Sequence, residues 1–126
     1  MMKTHYLVVQ AFFLMICASA VSAAENCKNP KSQLDMNSCA GLEFKREDAS
    51  LNKNYQLLMA KTTAESRPKL KEVQLAWLKF RDLSCEYASA SYTGGSMYAL
   101  VNQSCLSGLT KQRNKDLRAM LDDAGR

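Results

Sequence analysis

The sequence predicts an all-α protein: a small three-helix antiparallel bundle with an extended N-terminal segment, stapled by two disulfides. Apolar residues recur at steps of three and four over three segments, and period-two alternation persists nowhere for the length of a strand. Four cysteines follow a leader-like N-terminus. The connections between the three segments are short, which favours helices that run antiparallel to their neighbours.

The first 24 residues are predicted to be a cleavable signal peptide. Lys3 supplies the positive start, an apolar run occupies residues 6–20, and residues 21–24 provide the small side chains that a signal peptidase needs. The apolar run is shorter than the roughly 20 residues of a membrane span, and Gln10 interrupts it. A membrane anchor and a lipoprotein acylated at Cys17 are the alternatives.

Residues 25–126 are predicted to form one exported domain, periplasmic or secreted, without a stable membrane anchor. A domain of this size buries a modest share of its surface, so cross-links contribute materially to its stability. The chain carries 17 Lys+Arg against 12 Asp+Glu, and the excess is spread without a long block of like charge. That distribution argues against a nucleic-acid partner.

The chemistry of the usual enzyme sites is largely missing from this domain. The single histidine, His5, lies in the leader, so the domain has no Ser-His or Cys-His pair and no histidine metal ligand. Asp82 and Glu86 share one helix face, whereas a glycosidase needs carboxylates on two walls of a cleft. We expect no enzyme activity, no cofactor and no metal site. The oligomeric state stays open.

The first helix is predicted over residues 34–63. Asp35 and Asn37 are the candidates for its N-terminal cap. Asp48, or Glu47 beside it, occupies the one skipped position of an otherwise helical apolar stripe. That stripe consists of Ala40, Phe44, Leu51, Tyr55, Leu58 and Thr62.

The second helix is predicted over residues 68–91 and the third over residues 96–121. Pro68 suits a first helical turn with Ser66 as its cap, and Ser96 is the candidate cap of the third helix. The predicted inward face of the second helix is Leu70, Val73, Trp77, Phe80, Ser84 and Ala88, widened by Leu78 and Cys85. That of the third helix is Met97, Leu100, Val101, Ser104, Cys105, Gly108, Leu109, Leu117, Met120 and Leu121.

Four cysteines allow three pairings, and the helical arrangement selects one. In a hairpin that turns near Gly94, Cys85 and Cys105 face one another across two helices packed about 8–10 Å apart. Cys27 reaches Cys39 when the N-terminal segment folds back on the start of the first helix. We therefore predict the disulfides Cys27–Cys39 and Cys85–Cys105, each contributing about 3 kcal/mol through the unfolded state.

Several stretches of the chain carry a family resemblance. They are residues 35–40 followed by 48–55, residues 74–85 with their tryptophan, arginine, aspartate and cysteine, and residues 94–97 followed by 105–113 and Leu117. In order and spacing they resemble the LprI-like lysozyme-inhibitor domain of bacterial envelope proteins. The resemblance covers essentially the whole mature chain and implies a helical, disulfide-bonded, exported domain. The member that gave the family its name is a lipoprotein, whereas this leader lacks the small residue expected before Cys17.

The resemblance implies an exported bacterial inhibitor that binds host lysozyme and occludes it sterically. A non-inhibitory interaction or structural module of the periplasmic envelope is the alternative. A glycine-containing loop is the predicted contact with this protein partner, because loops on rigid scaffolds often carry function. A plain hairpin turn is the other interpretation of that loop. The candidate contact residues are Tyr92, Gly94, Gly95, Met97 and Tyr98, with Lys111 and Arg113 as further candidates for insertion between catalytic carboxylates.

Trp77, Arg81, Asp82 and Asp48 are predicted to form a structural polar network. Trp77 lies on the apolar stripe, so a core aromatic is the favoured interpretation and a sugar-stacking platform the alternative. Arg81 follows Trp77 by four residues and can stack on the indole. Asp82 or Asp48 is expected to pair with Arg81 or Arg113 across helices.

Overall fold

The computed structural model describes residues 27–125, and the chain forms three α-helices and one short 3-10 helix within them. Helix α1 spans Gln33–Lys61, α2 spans Arg67–Ser89, the 3-10 helix spans Ala90–Tyr92 and α3 spans Tyr98–Asp123. The described range contains no strand, and the predicted all-α class is confirmed. None of these helices is long and apolar enough to cross a membrane. The predicted leader, residues 1–24, lies outside the described residues.

Helices α1 and α3 run parallel, and α2 runs antiparallel to both. Asn37 near the start of α1 contacts Ser96 just before α3, and Lys61 at the end of α1 reaches the carbonyl of Leu121 near the end of α3. Arg67 at the start of α2 donates to backbone carbonyls at the end of α1. The up-down-up order follows from the two short connections, and α1 packs most extensively on α3.

Helix α1 begins with a capping box rather than with either predicted cap. Ser32 is the N-cap: its hydroxyl accepts from the backbone N–H of Asp35 at 3.0 Å, and the Asp35 carboxylate accepts from the N–H of Ser32 at 3.2 Å. This reciprocal pair satisfies two otherwise unpaired donors. Asp35 therefore supports the cap from the third helical position, and the prediction of Asn37 as a cap is wrong because Asn37 lies inside the helix.

The predicted cap position is confirmed for α2 and wrong for α3. Ser66 is the N-cap of α2 and Pro68 lies in its first turn, but the Ser66 side chain makes no capping hydrogen bond. Met97, not Ser96, is the N-cap of α3. The backbone carbonyl of Ser96 instead accepts a hydrogen bond from the Asn37 side chain at 2.9 Å, and this bond ties the loop to α1.

Among the described residues, more polar than apolar side chains are buried in the interior of the bundle. Leu51, Leu58 and Leu117 are buried, with Tyr55, Leu70, Trp77, Leu78 and Leu121 packed against them. The buried polar residues are Gln74, Arg81, Ser89, Ser107, Thr110, Arg113 and Asn114. Among the described residues no buried side-chain nitrogen or oxygen lacks a hydrogen-bond partner, as burial of polar groups requires.

The predicted inward face of α2 is partly wrong. Val73 and Phe80 are 43% and 59% exposed, whereas Gln74 and Arg81 are buried. The reason is that both polar side chains find partners on other helices, so their burial leaves no group unsatisfied. Periodicity ranks positions by hydrophobicity and cannot see those partners.

Both predicted disulfides are confirmed. Cys27 and Cys39 have Cα atoms 5.4 Å apart, and those of Cys85 and Cys105 are 5.5 Å apart. Both distances lie in the range that an unstrained disulfide requires. One disulfide fastens the N-terminal segment to α1, and the other fastens α2 to α3 across their hairpin.

Candidate partner-binding site

The loop between α2 and α3 is a series of tight turns with exposed aromatic side chains. The N–H of Gly95 donates to the carbonyl of Tyr92 at 2.9 Å, and the N–H of Tyr98 donates to that of Gly95 at 3.3 Å. Gly94 has a φ of +79°, a backbone conformation that residues with a Cβ atom rarely adopt. Tyr92, Met97 and Tyr98 are exposed at this end of the bundle.

A rigid base supports this loop. Ser89 is fully buried at the end of α2, and its hydroxyl donates to the carbonyl of Cys85 at 2.8 Å. Asn102 on α3 donates to that same carbonyl at 3.2 Å and to the Ser89 hydroxyl at 3.1 Å. With the Cys85–Cys105 disulfide, these bonds fix the two helix ends from which the loop projects.

The chain segment that forms the loop and its flanking helix ends carries no formally charged side chain. No Asp, Glu, Lys, Arg or His occurs between Glu86 and Lys111. Asn37 near the start of α1 holds the loop through the Ser96 carbonyl. The surface is therefore built of tyrosine, serine, glycine and methionine.

Beneath the loop, the structure brings together the four residues predicted to form a polar network. The Arg81 guanidinium donates to Asp48 at 3.0 Å and to Asp82 at 2.8 Å, and it also bonds the buried Thr110 hydroxyl at 3.3 Å. It lies 5.5 Å from the centre of the Trp77 ring, within the range of a cation–π contact. Asp48 is thus the partner across helices, and Asp82 the partner on the same helix.

Arg113 belongs to the same interior and not to the exposed surface. It is 7% exposed, and its Nε and Nη2 both donate to the Gln74 side-chain oxygen at 3.2 Å. Its guanidinium lies 5.7 Å from the centre of the Trp77 ring. Trp77 therefore contacts two buried guanidinium groups, which accounts for a half-buried aromatic on the inner face.

The structure does not gather all the predicted contact residues into one patch. Tyr92, Gly94, Gly95, Met97 and Tyr98 lie together in the loop. Lys111 is exposed on α3, about 20 Å along the helix from its start.

A cavity of about 670 Å³ lies beside the Cys27–Cys39 disulfide at the same end of the bundle. Met36, Leu42 and Leu100 contribute apolar walls. Glu43 and Arg46 line it as well and form an exposed ion pair at 3.9 Å.

Sequence reasoning missed the polar residues that hold this scaffold. Asn114 is 1% exposed, and its amide donates to the backbone carbonyl and carboxylate of Glu47 and accepts from Asn54. Gln74 and Asn102 serve Arg113 and the hairpin base in the same way. For Gln74 the available sequence signal was its spacing: it precedes Arg81 by seven residues and therefore lies on the same helix face.

Comparison with known proteins shows which family this chain belongs to. The family described as lysozyme inhibitor LprI matches residues 23–117, which include the loop and all four disulfide cysteines. The chain belongs to this family. LprI is a family of inhibitors and not of enzymes, and the family together with two disulfides is typical of proteins outside the reducing cytoplasm.

One relative extends over nearly the full chain. An uncharacterized protein of Rhizobium meliloti (strain 1021) is 32% identical over 131 aligned residues, which cover 90% of this chain and 94% of the relative. No solved structure matches the chain.

Proposed function

We propose that this LprI-family protein is an exported inhibitor that binds host lysozyme and occludes its substrate cleft, acting in the periplasm or after secretion. Membership of the lysozyme-inhibitor family over residues 23–117 is the observation that carries the proposal. The loop from Tyr92 to Tyr98 is the proposed contact surface. The inhibitor blocks access and performs no chemistry of its own.

The composition of the loop supports a protein-binding role. Tyrosine provides large contact area at a low entropy cost, and serine and glycine adapt to the partner surface, which is why binding loops of antibodies use the same residues. The turns at Gly95 and Tyr98 and the bond from Asn37 to Ser96 hold the loop before a partner arrives. A loop held in one conformation loses little entropy on binding.

The burial of Arg113 argues against a mechanism in which this side chain inserts into the enzyme. Its guanidinium is engaged by Gln74 and Trp77, so inserting it into an enzyme would break both contacts. Lys111 is exposed but distant from the loop. Occlusion by the uncharged loop therefore fits the structure better than insertion of a cation between catalytic carboxylates.

A lysis assay tests the function directly. Purified oxidised protein is added in stoichiometric excess to chicken-type and goose-type lysozymes, and the clearing of a bacterial suspension is followed by turbidity. We expect the clearing rate to fall for at least one class. Undiminished lysis by both classes would overturn the inhibitor proposal for them and favour a non-inhibitory envelope interaction module.

Loop variants then test the surface. The double variant Tyr92→Ser and Met97→Ser removes two exposed contact side chains. The control Leu57→Ser removes one side chain of similar exposure from α1, near the end of the bundle opposite the loop. We expect inhibition to fall by roughly tenfold or more for the loop variant, because aromatic anchors dominate interfaces. Equal inhibition by the two variants, with melting temperatures unchanged, would place the contact elsewhere.

A further inference from the structure

Helix α2 carries an apolar stripe that its own bundle does not cover. Val73, Phe80, Leu83 and Tyr87 are 43%, 59%, 55% and 86% exposed, and Ala76 between them is also exposed. The inner face of the same helix is different, because it buries Gln74, Arg81, Cys85 and Ser89. Leu70, Trp77 and Leu78 on the inner side pack partly buried against the core, so among the described residues α2 has apolar side chains on two sides, one of which faces solvent.

The stripe has the spacing of a helix–helix seam. Its members are separated by three, four, three and four residues, the alternation that places side chains on one line of a helix packed against another helix. At 100° per residue the five positions fall within an arc of about 80°. Scattered surface apolar residues need no explanation, but a continuous seam indicates a partner helix.

An antiparallel second copy of α2 fits this seam by size. When two such helices cross with their two-fold axis level with the Arg81–Asp82 peptide bond, Phe80 meets Leu83 of the second copy. The small Ala76 then meets the large Tyr87 of the second copy. A parallel pair would place tyrosine on tyrosine and alanine on alanine, which leaves a clash in one layer and a gap in the other.

Charge is complementary in the same arrangement. Lys79 and Glu86 flank the stripe on one side, and both are exposed. Neither side chain forms an ion pair within residues 27–125. The antiparallel register sets Lys79 on the same side of the interface as Glu86 of the second copy, about 3 Å from it along the helix axis and so within reach, and the two-fold axis repeats the pair. A parallel register sets neither charge against its opposite.

We propose that the protein forms a symmetric dimer through the α2 stripe, with the two α2 helices antiparallel. The interface is isologous, as two-fold symmetry requires. The stripe is about 20 Å long, so the interface lies at the small end of specific interfaces, and we expect a dissociation constant in the micromolar range. Because the helices are antiparallel, the two loops between α2 and α3 lie at opposite ends of the dimer.

Sedimentation-velocity ultracentrifugation of the oxidised full mature chain over a range of micromolar concentrations tests the proposal. The wild type should shift from monomer to dimer as concentration rises. Phe80→Glu should stay monomeric at every concentration, while Leu57→Glu, an exposed apolar position on α1 and outside the stripe, should dimerise like the wild type. Circular dichroism and melting curves check that each variant is folded.

Charge reversals test the register. Lys79→Glu and Glu86→Lys should each weaken dimerisation by roughly tenfold, since each sets like charges together twice, and the double variant should restore it. A net-charge effect predicts instead that Lys79→Glu strengthens the dimer, and a parallel dimer predicts no effect of either change. A wild type that stays monomeric up to millimolar concentration, or a folded Phe80→Glu variant that still dimerises, would overturn the proposal.

Discussion

Arg81 on α2 donates a hydrogen bond to Asp48 on α1 at 3.0 Å, with the arginine side chain 9% exposed and the aspartate side chain 37% exposed. The same guanidinium bonds the fully buried Thr110 hydroxyl on α3, so one side chain connects all three helices. Since α1 and α2 share few other contacts, Arg81 and the Arg67 side chain at the start of α2 provide the polar links between them.

Replacing Arg81 with alanine should therefore destabilise the fold. The change strips the buried Thr110 hydroxyl of its partner and leaves Asp48 and Asp82 without their cation. We expect a loss of about 2 kcal/mol in the free energy of unfolding, or about 10 °C in melting temperature. Thermal unfolding followed by circular dichroism measures it.

Arg46→Ala is the matched control, because Arg46 is a largely exposed arginine in a surface ion pair at 3.9 Å. Its effect should stay within about 0.5 kcal/mol. Unchanged melting of Arg81→Ala together with lost inhibition would contradict the structural role and indicate direct contact with the partner.

The two disulfides should differ in importance although their closed loops predict about 3 kcal/mol each. Cys85 is fully buried and its bond holds the base of the proposed contact loop. Replacing Cys85 and Cys105 with serine should lower both the melting temperature and lysozyme inhibition. Urea unfolding and the lysis assay provide the two readouts.

Replacing Cys27 and Cys39 with serine should cost less stability and leave inhibition intact. This disulfide fastens only a short segment before Ser32, and freeing that segment also gives the native state more conformational freedom. Equal losses in the two variants would show that the N-terminal segment is an integral part of the folded unit.

Two glycines provide an opposed pair of predictions. Gly94 has φ +79° with open space where a Cβ would lie, so Gly94→Ala meets backbone strain alone, and we expect a loss of about 1–2 kcal/mol and weaker inhibition. Gly108 lies inside α3 with equally open space, so Gly108→Ala should gain about 0.5–1 kcal/mol and leave inhibition unchanged. Denaturant titrations give the signs, and a neutral or stabilising Gly94→Ala would mean that the loop adopts another conformation.

Binding to lysozyme through the loop should depend little on salt. The chain between Glu86 and Lys111 has no charged side chain, so long-range attraction contributes little to association. We expect the dissociation constant from calorimetry to change by less than about threefold between low and physiological ionic strength. A roughly tenfold or greater weakening would point to Lys111 or the charged start of α1 as the contact instead.

The sequence determined the helical class, the approximate helix ranges and the disulfide pairing. Those features depend on local rules, namely apolar spacing, the position of proline and glycine, and the reach of cysteines across a hairpin. The family resemblance was also readable from residues 35–40 and 74–85, and the match over residues 23–117 bears it out. The helix caps were less predictable, because Ser32, Asp35 and Asn37 are all good capping residues within one helical turn.

Only the tertiary structure decided which face of α2 is buried. By hydrophobicity alone, Val73 and Phe80 outrank Gln74 and Arg81, yet the polar pair is inside and the apolar pair is outside. The deciding energies are hydrogen bonds to Arg113, Asp48 and Thr110 on other helices, which no pattern within α2 contains. Tertiary packing also decided the position of Arg113. The sequence made it a candidate contact residue, but it is buried beside Trp77, and the uncharged loop is the exposed candidate surface.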